Sequence, residues 1–94
     1  MDSEHYIREV CQEIKDLLIS KNKAYGDTAI NPPKIFSTLS PKQGILARID
    51  DKLSRIKTKG YDDVRSEDTL QDLIGYLILL KIQLKKEEHE EENL

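Results

Sequence analysis

The sequence predicts an all-α protein, a compact helical bundle of three main helices plus a long packed loop, completed by oligomerisation. Of its 94 residues, 37% are hydrophobic and 35% are charged, with one Phe and no Trp. This composition suits helices with a narrow apolar stripe, whereas a β-sandwich or barrel would need more aromatic and β-branched residues. The length predicts a single domain, residues 1–84, followed by a charged tail, residues 85–94, that we expect to be frayed or disordered.

The first helix is predicted to begin at Asp2 or Ser3, with Ser3 as N-cap, and to end near Lys21. Because Cys11 lies on its apolar stripe, we expect this residue to be a small core side chain rather than a nucleophile. The stripe follows i, i+3, i+4, i+7 spacing and consists of Ile7, Val10, Cys11, Ile14, Leu17 and Leu18.

A segment without helical periodicity follows, "KNKAYGDTAINPPKIFSTLS". Gly26, Pro32 and Pro33 interrupt it. Loops of this length in a small domain are usually functional or disordered. Because it also carries several apolar residues, we expect it to pack against the helices and to form one wall of a ligand site.

The second helix has clear end signals. Ser40 is the predicted N-cap, Pro41 occupies the first helical position, and Gly60 ends the helix after Lys59. Its apolar stripe consists of Ile45, Leu46, Ile49, Leu53 and Ile56.

The third helix is predicted to begin at Ser66, with Glu67 and Asp68 in a first turn where the helix dipole favours acids. Its second half is apolar on nearly every side. A helix of this kind is buried all round, and three helices are too few to cover it. We therefore expect a homo-oligomer through helix 66–84. The alternative is that the long loop covers its far side.

Charge and cysteine content narrow the function classes. The net charge is −3, with acids and bases well mixed, so no basic field exists for binding duplex nucleic acid. The single Cys11 excludes an internal disulfide and suits a reducing compartment. The N-terminus does not read as a signal peptide, and the longest apolar run, residues 76–80, is too short to span a membrane. We expect a cytoplasmic protein.

The stretch "RIDDKLSRI" places two acids among basic residues on the second helix. At 3.6 residues per turn, one stripe holds Arg48, Asp51, Lys52 and Arg55, while Asp50 falls on the opposite flank. Taken alone, this stripe is typical of a solvated, salt-bridged face whose pairs each contribute a few tenths of a kcal/mol.

The third helix carries a like-charged pair, Asp68 and Asp72, at i, i+4 spacing, which is mildly destabilising in an isolated helix. Such a pair is explained if a cation lies between the carboxylates, and Mg²⁺ prefers oxygen ligands of this kind. Antiparallel packing of the second and third helices would let Asp51 face both acids. The alternative explanation for Asp68 and Asp72 is that helix N-termini favour acidic residues and that their spacing arose by chance.

Other residues suggest contacts with a nucleotide. Lys21 and Lys23 can meet phosphates, and Asn31 can hydrogen-bond a base or sugar. Tyr25 can stack on a base. Tyr76, which continues the side of the helix that carries Asp72, and Arg48 of the second helix are further candidates for substrate binding. Each of these residues taken separately also fits a structural role.

Three segments, "KNKAYGD", "RIDDKLSRI" and "EDTLQDLIGYLILL", together resemble a phage-encoded domain associated with nucleotide modification. That domain is similar to a compact branch of the MazG-like all-α nucleoside triphosphate pyrophosphatases. The resemblance covers about residues 15–82. It implies a helical bundle, often oligomeric, in which acids of two neighbouring helices hold Mg²⁺ and a metal-activated water attacks the triphosphate.

The resemblance also implies roles by position. Asp51 and Asp72 would be the catalytic acids, Asp51, Asp68 and Asp72 the metal ligands, and Lys52 and Arg55 would offset phosphate charge. The family's E-x-x-E motif is reduced here to Asp50 and Asp51, so the chain has fewer carboxylates than such a pyrophosphatase normally uses.

Three functions remain open. The first is a Mg²⁺-dependent nucleoside triphosphate pyrophosphohydrolase that acts on phage or host nucleotides in the host cytoplasm. The second is a non-catalytic module that sequesters a nucleotide or a nucleotide-derived signal. The third is a structural helical interaction protein.

Overall fold

A computed structural model describes residues 2–30, 39–60 and 68–92 of the chain. These residues form three α-helices, α1 (Ser3–Tyr25), α2 (Pro41–Lys59) and α3 (Thr69–Glu92), and the described ranges contain no strand. The predicted all-α fold with three main helices is confirmed. Completion by oligomerisation stays a prediction.

Helix α1 differs from its prediction at both ends. Its N-cap is Asp2 rather than Ser3, because the Asp2 carboxylate accepts a hydrogen bond from the backbone N–H of His5 at 3.0 Å. The helix runs one turn beyond Lys21, to Tyr25, and is capped by Gly26, which has φ 64° and donates its N–H to the Asn22 carbonyl. Glycine adopts this left-handed conformation without steric cost, so it stops the helix there.

Helix α2 has the predicted ends. The Ser40 hydroxyl accepts from the Gln43 N–H at 3.1 Å, and the Gln43 side chain accepts from the Ser40 N–H at 3.0 Å, which completes a capping box. Pro41 occupies the first turn, and Gly60 donates its N–H to the Ile56 carbonyl.

Helix α3 begins at Thr69, just after Asp68, whose backbone has φ 54° and whose carbonyl accepts from the Asp72 N–H at 2.9 Å. The prediction that Asp68 lies in the first turn is wrong, because its left-handed backbone places it before the helix; Ser66 and Glu67 lie outside the described residues. The expected frayed or disordered tail is instead helical as far as Glu92. Two physical reasons account for this: Lys and Glu are good helix formers, and Glu87 reaches Lys42 of α2 at 3.4 Å.

The core lies between α2 and α3, which pack along one another, while α1 contacts α3 less extensively. The pairs Lys42–Glu87 and Lys52–Asp72 show that α2 and α3 are antiparallel. Ile30, from the segment after α1, closes this core. Its members are Ile30, Ile45 and Ile49, with Leu73, Tyr76, Leu79 and Leu80 packed against them.

Only the C-terminal half of the predicted apolar stripe of α1 packs against the rest of the chain. Ile14 is buried and Leu18 packs at Gly75, but Ile7 is 63% exposed and Val10 and Cys11 are also exposed. The expectation that Cys11 is a core residue is therefore wrong for the single chain. The reason is tertiary, since α1 contacts α3 through its C-terminal half.

Among the helices of the described ranges, none combines the length and the apolar character that crossing a membrane requires.

Candidate functional site

A cleft of about 400 Å³ lies between α1 and α3, with α2 contributing one residue to its wall. Its lining combines apolar and polar side chains. Gly75 lies on the α3 side, where an added Cβ would come within 3.1 Å of Leu18 Cδ2. The lining residues are Ile14, Leu17, Leu18, Lys21, Asn22, Tyr25, Thr28, Ala29, Arg48, Gln71, Asp72, Gly75, Tyr76 and Leu79.

The extra turn of α1 is what brings its polar residues to this cleft. Leu18, Asn22 and Tyr25 follow i, i+4, i+7 spacing, so they lie on the same face of the helix as Ile14. Had α1 ended at Lys21, neither Asn22 nor Tyr25 would have been held on that face by helical geometry. The left-handed turn at Gly26 then directs Thr28 and Ala29 to the cleft.

Asp72 lies between two lysines at the cleft wall. Its Oδ1 is 3.5 Å from Lys21 Nζ of α1, and its Oδ2 is 3.2 Å from Lys52 Nζ of α2. The side chain of Lys52 is only 13% exposed and that of Asp72 is 24% exposed, whereas that of Lys21 is 50% exposed. The Asp72 carboxylate therefore links all three helices. Lys21, the more exposed of its two lysine partners, can also face a ligand.

Arg48 provides a further cation at the same wall. Its guanidinium lies 5.8 Å from the centre of the Tyr76 ring, within the range of a cation–π contact. Arg48 is exposed, while Tyr76 is half-buried and packs against the core between α2 and α3. The ring therefore holds the guanidinium at the cleft without neutralising its charge.

The structure brings together six of the residues predicted from sequence. Five line the cleft directly and Lys52 borders it through Asp72. They are Lys21, Tyr25, Arg48, Asp72, Tyr76 and Lys52.

The other predicted residues that the structure describes do not line the cleft. Asp51 is exposed and pairs with Arg55 along α2, with 3.8 Å between Oδ2 and Nε. Lys23 lies on α1 but does not line the cleft, and Asp68 is exposed just before α3. Asn31 lies outside the described residues.

Three polar lining residues were not anticipated from the sequence, namely Asn22, Thr28 and Gln71. Asn22 could have been found, because it is one turn after Leu18 on the stripe of α1. Thr28 and Gln71 carry no comparable signal, since their position depends on the turn at Gly26 and on the side of α3 that α1 covers.

A magnesium ion prefers several oxygen ligands that converge on one point. Each oxygen of Asp72 faces a lysine ammonium group, and Asp51 is directed to Arg55. In the part of the chain that the structure describes, no group of three Asp, Glu, His or Cys side chains is placed to share an ion. The arrangement of Asp51, Asp68 and Asp72 described here therefore does not fit a three-carboxylate magnesium site.

No protein-family profile matches the sequence, and neither a curated protein nor a solved structure matches the chain. The resemblance to the MazG-like pyrophosphatases stays a prediction from the three short segments that carry it.

Proposed function

We propose that this protein binds a nucleotide or a nucleotide-derived small molecule in the cleft between α1 and α3. The observation that carries the proposal is that Lys21 and Lys52 flank the Asp72 carboxylate while Arg48 lines the same cleft beside Tyr76. Three cations with one anion leave a net positive wall, and such a wall favours a ligand that carries phosphate.

The charges are arranged for an anion that enters from solvent. Lys52 is largely buried and engaged with Asp72, so it offsets that carboxylate. Lys21 and Arg48 are more exposed and retain donors that can face the cleft. Lys21 offers a compact point charge, and Arg48 offers a planar fork that can make two parallel hydrogen bonds to a phosphate.

The remainder of the cleft suits the base and sugar of a nucleotide. Its volume of about 400 Å³ falls in the range of small-molecule sites. The exposed ring of Tyr25 provides a surface for stacking. The apolar side chains of α1 and α3 that line the cleft can contact the flat face of a nucleobase. Asn22 and Gln71 supply amide groups that can hydrogen-bond base edges or ribose hydroxyls.

Isothermal titration calorimetry with mono-, di-, tri- and cyclic nucleotides, in EDTA and then in Mg²⁺, tests the proposal. We expect binding of at least one nucleotide in EDTA, because the cationic side chains do not depend on a metal. Binding should weaken as salt concentration rises, since the phosphate contacts lie near the surface. No heat and no thermal shift with any nucleotide under either condition would exclude the proposal.

The chain offers a closely matched control for the site. Lys21→Ala and Lys23→Ala each remove one lysine from the last turns of α1, but only Lys21 lines the cleft. We expect Lys21→Ala to weaken nucleotide binding about tenfold, the value of one charge-assisted hydrogen bond. Lys23→Ala should bind like wild type, and equal losses in both variants would show a general charge effect.

A Mg²⁺-dependent nucleoside triphosphate pyrophosphohydrolase is the second candidate function. The observation that favours it is the position of the Asp72 carboxylate in the cleft wall. Pyrophosphate release from a panel of nucleoside and deoxynucleoside triphosphates measures this activity. If release occurs with Mg²⁺ and is lost in Asp72→Ala, the hydrolase is supported; if binding occurs without release, the protein is a binding module.

A further inference from the structure

The face of the α2–α3 pair that is turned away from α1 is apolar and exposed. It carries five leucines that are each between 41% and 50% exposed in the single chain. We call this surface the outer leucine face; its residues are Leu46 and Leu53 of α2 and Leu70, Leu77 and Leu84 of α3.

Helical geometry places these leucines on one side. Leu70, Leu77 and Leu84 recur every seven residues, and a helix turns by about 100° per residue, so they form one stripe on α3. That stripe lies opposite Asp72 and Gly75, which line the cleft. On α2, Leu46 and Leu53 also recur after seven residues and lie on the flank opposite Arg48, which lines the cleft. Because α2 and α3 are antiparallel neighbours, the two stripes share the side away from the cleft.

The chain as a whole exposes more surface than a compact monomer of its mass, and the outer leucine face is part of that excess. The accessible surface is 7571 Å² for a mass of 10.9 kDa, against ~5,600 Å² expected for a compact monomer of that mass. The radius of gyration is 15.3 Å, whereas a compact chain of this length would have ~12.4 Å. The excess of ~2,000 Å² per chain is more than the ~800 Å² that each partner contributes to a standard stable interface.

We propose that the outer leucine face is the interface of a homodimer in which a second copy of the chain packs its own outer leucine face against the first. The two α2–α3 pairs would then form a four-helix bundle, with the leucines in its core and one ligand cleft on each outer side. An isologous contact of this kind closes with two chains, because the same surface is buried on both partners.

Charge favours a second copy that is antiparallel to the first across this face. On the side of the leucine stripes, the C-terminal end of α3 carries Glu88 and Glu91, four and seven residues after Leu84, and the last turn of α2 carries Lys57, four residues after Leu53. These two regions lie at opposite ends of the α2–α3 pair, because the two helices are antiparallel. In an antiparallel dimer, a two-fold axis perpendicular to the helices passes near the middle of α3. The acidic end of each α3 then lies near the basic end of the partner's α2. In a parallel dimer, the two acidic ends would lie together and repel each other.

Light scattering coupled to size-exclusion chromatography tests the proposal on the full chain. At about 100 μM, we expect wild type to have twice the monomer mass of 10.9 kDa. Leu77→Asp should have the monomer mass and retain a helical circular dichroism spectrum, because Leu77 is exposed in the single chain and the new carboxylate would lie one turn before Lys81. A wild-type protein of monomer mass, or a Leu77→Asp protein that remains a dimer, would overturn the proposal.

Two further variants make the result specific to this face. Leu53→Asp introduces a charge on the same face from α2, so it tests the interface even if Leu77→Asp fails to fold, and we expect a monomer again. Ile7→Asp introduces a charge at the exposed apolar part of α1, which lies outside the proposed interface. It should remain a dimer, and dissociation of Ile7→Asp with retention of the dimer in Leu53→Asp would show that α1 forms the interface instead.

Discussion

Lys52 Nζ lies 3.2 Å from Asp72 Oδ2, and this pair joins α2 to α3 at the edge of the cleft. Both side chains are largely withdrawn from water, whereas most other ion pairs of the described residues are more exposed. The pair thus contributes to the packing of α2 on α3 and also sets the charge of the cleft. These two roles can be separated by experiment.

The first prediction concerns the stability that the Lys52–Asp72 pair provides. Asp72→Asn leaves a largely buried ammonium group without its carboxylate, so we expect the free energy of unfolding to fall by about 1–2 kcal/mol, less than the 3–5 kcal/mol of a fully buried pair. Chemical denaturation measured by circular dichroism gives this value. Asp51→Asn is the control, because its exposed pair with Arg55 should contribute less than about 0.5 kcal/mol. Equal losses of unfolding free energy in Asp72→Asn and Asp51→Asn would show that the buried pair contributes no more than the exposed one.

The second prediction concerns the charge that Asp72 places in the cleft. If the cleft binds a phosphate-bearing ligand through its cations, Asp72→Asn removes the opposing anion and should tighten nucleotide binding in EDTA by roughly threefold to tenfold. Calorimetry on the folded variant measures the change. If Asp72 holds Mg²⁺, the same substitution should weaken binding in Mg²⁺ instead, so the sign of the effect separates the two functions.

The third prediction uses two helical glycines in different surroundings. In Gly44→Ala the new methyl group meets nothing within 4 Å, so the better helix propensity of alanine should stabilise the protein by about 0.5–1 kcal/mol. In Gly75→Ala the methyl group comes within 3.1 Å of Leu18 Cδ2, which should cancel that gain and narrow the cleft. Thermal unfolding of both variants measures the difference. A gain in Gly75→Ala as large as in Gly44→Ala would show that Leu18 moves aside freely.

The fourth prediction compares two helix caps. Ser40→Ala removes one half of the capping box of α2, which packs along α3, and should lower the free energy of unfolding by about 1 kcal/mol. Asp2→Ala removes the N-cap of α1, whose first turns are exposed, so we expect a smaller loss confined to local fraying. Denaturation measures the global effect, and hydrogen exchange at His5 and Tyr6 measures the local one. A larger global loss for Asp2→Ala would indicate that the start of α1 is packed in solution, as in an oligomer.

The sequence by itself determined the helices and several of their ends, because these depend on local interactions. Ser40, Pro41 and Gly60 act within one turn of their own positions, so their roles in α2 could be predicted without knowledge of the fold. The end of α1 was placed one turn early because Lys23, Ala24 and Tyr25 are compatible with either a helix or a loop. The left-handed backbone of Gly26 and Asp27, whose N–H groups both donate to the Asn22 carbonyl, marks the boundary.

Only the tertiary structure decided which polar residues share a site. Lys21 and Lys23 are equivalent in the sequence, and so are Asp51 and Asp72, but a helix presents each residue in a different direction and its neighbours select one face. The approach of α1 to Gly75 places Lys21 beside Asp72, whereas Asp51 stays with Arg55 in solvent. Cys11 lies on the part of the α1 apolar stripe that is exposed in the single chain. Periodicity therefore shows which residues share a face, while the contacts between helices determine whether that face becomes core, cleft or exposed surface.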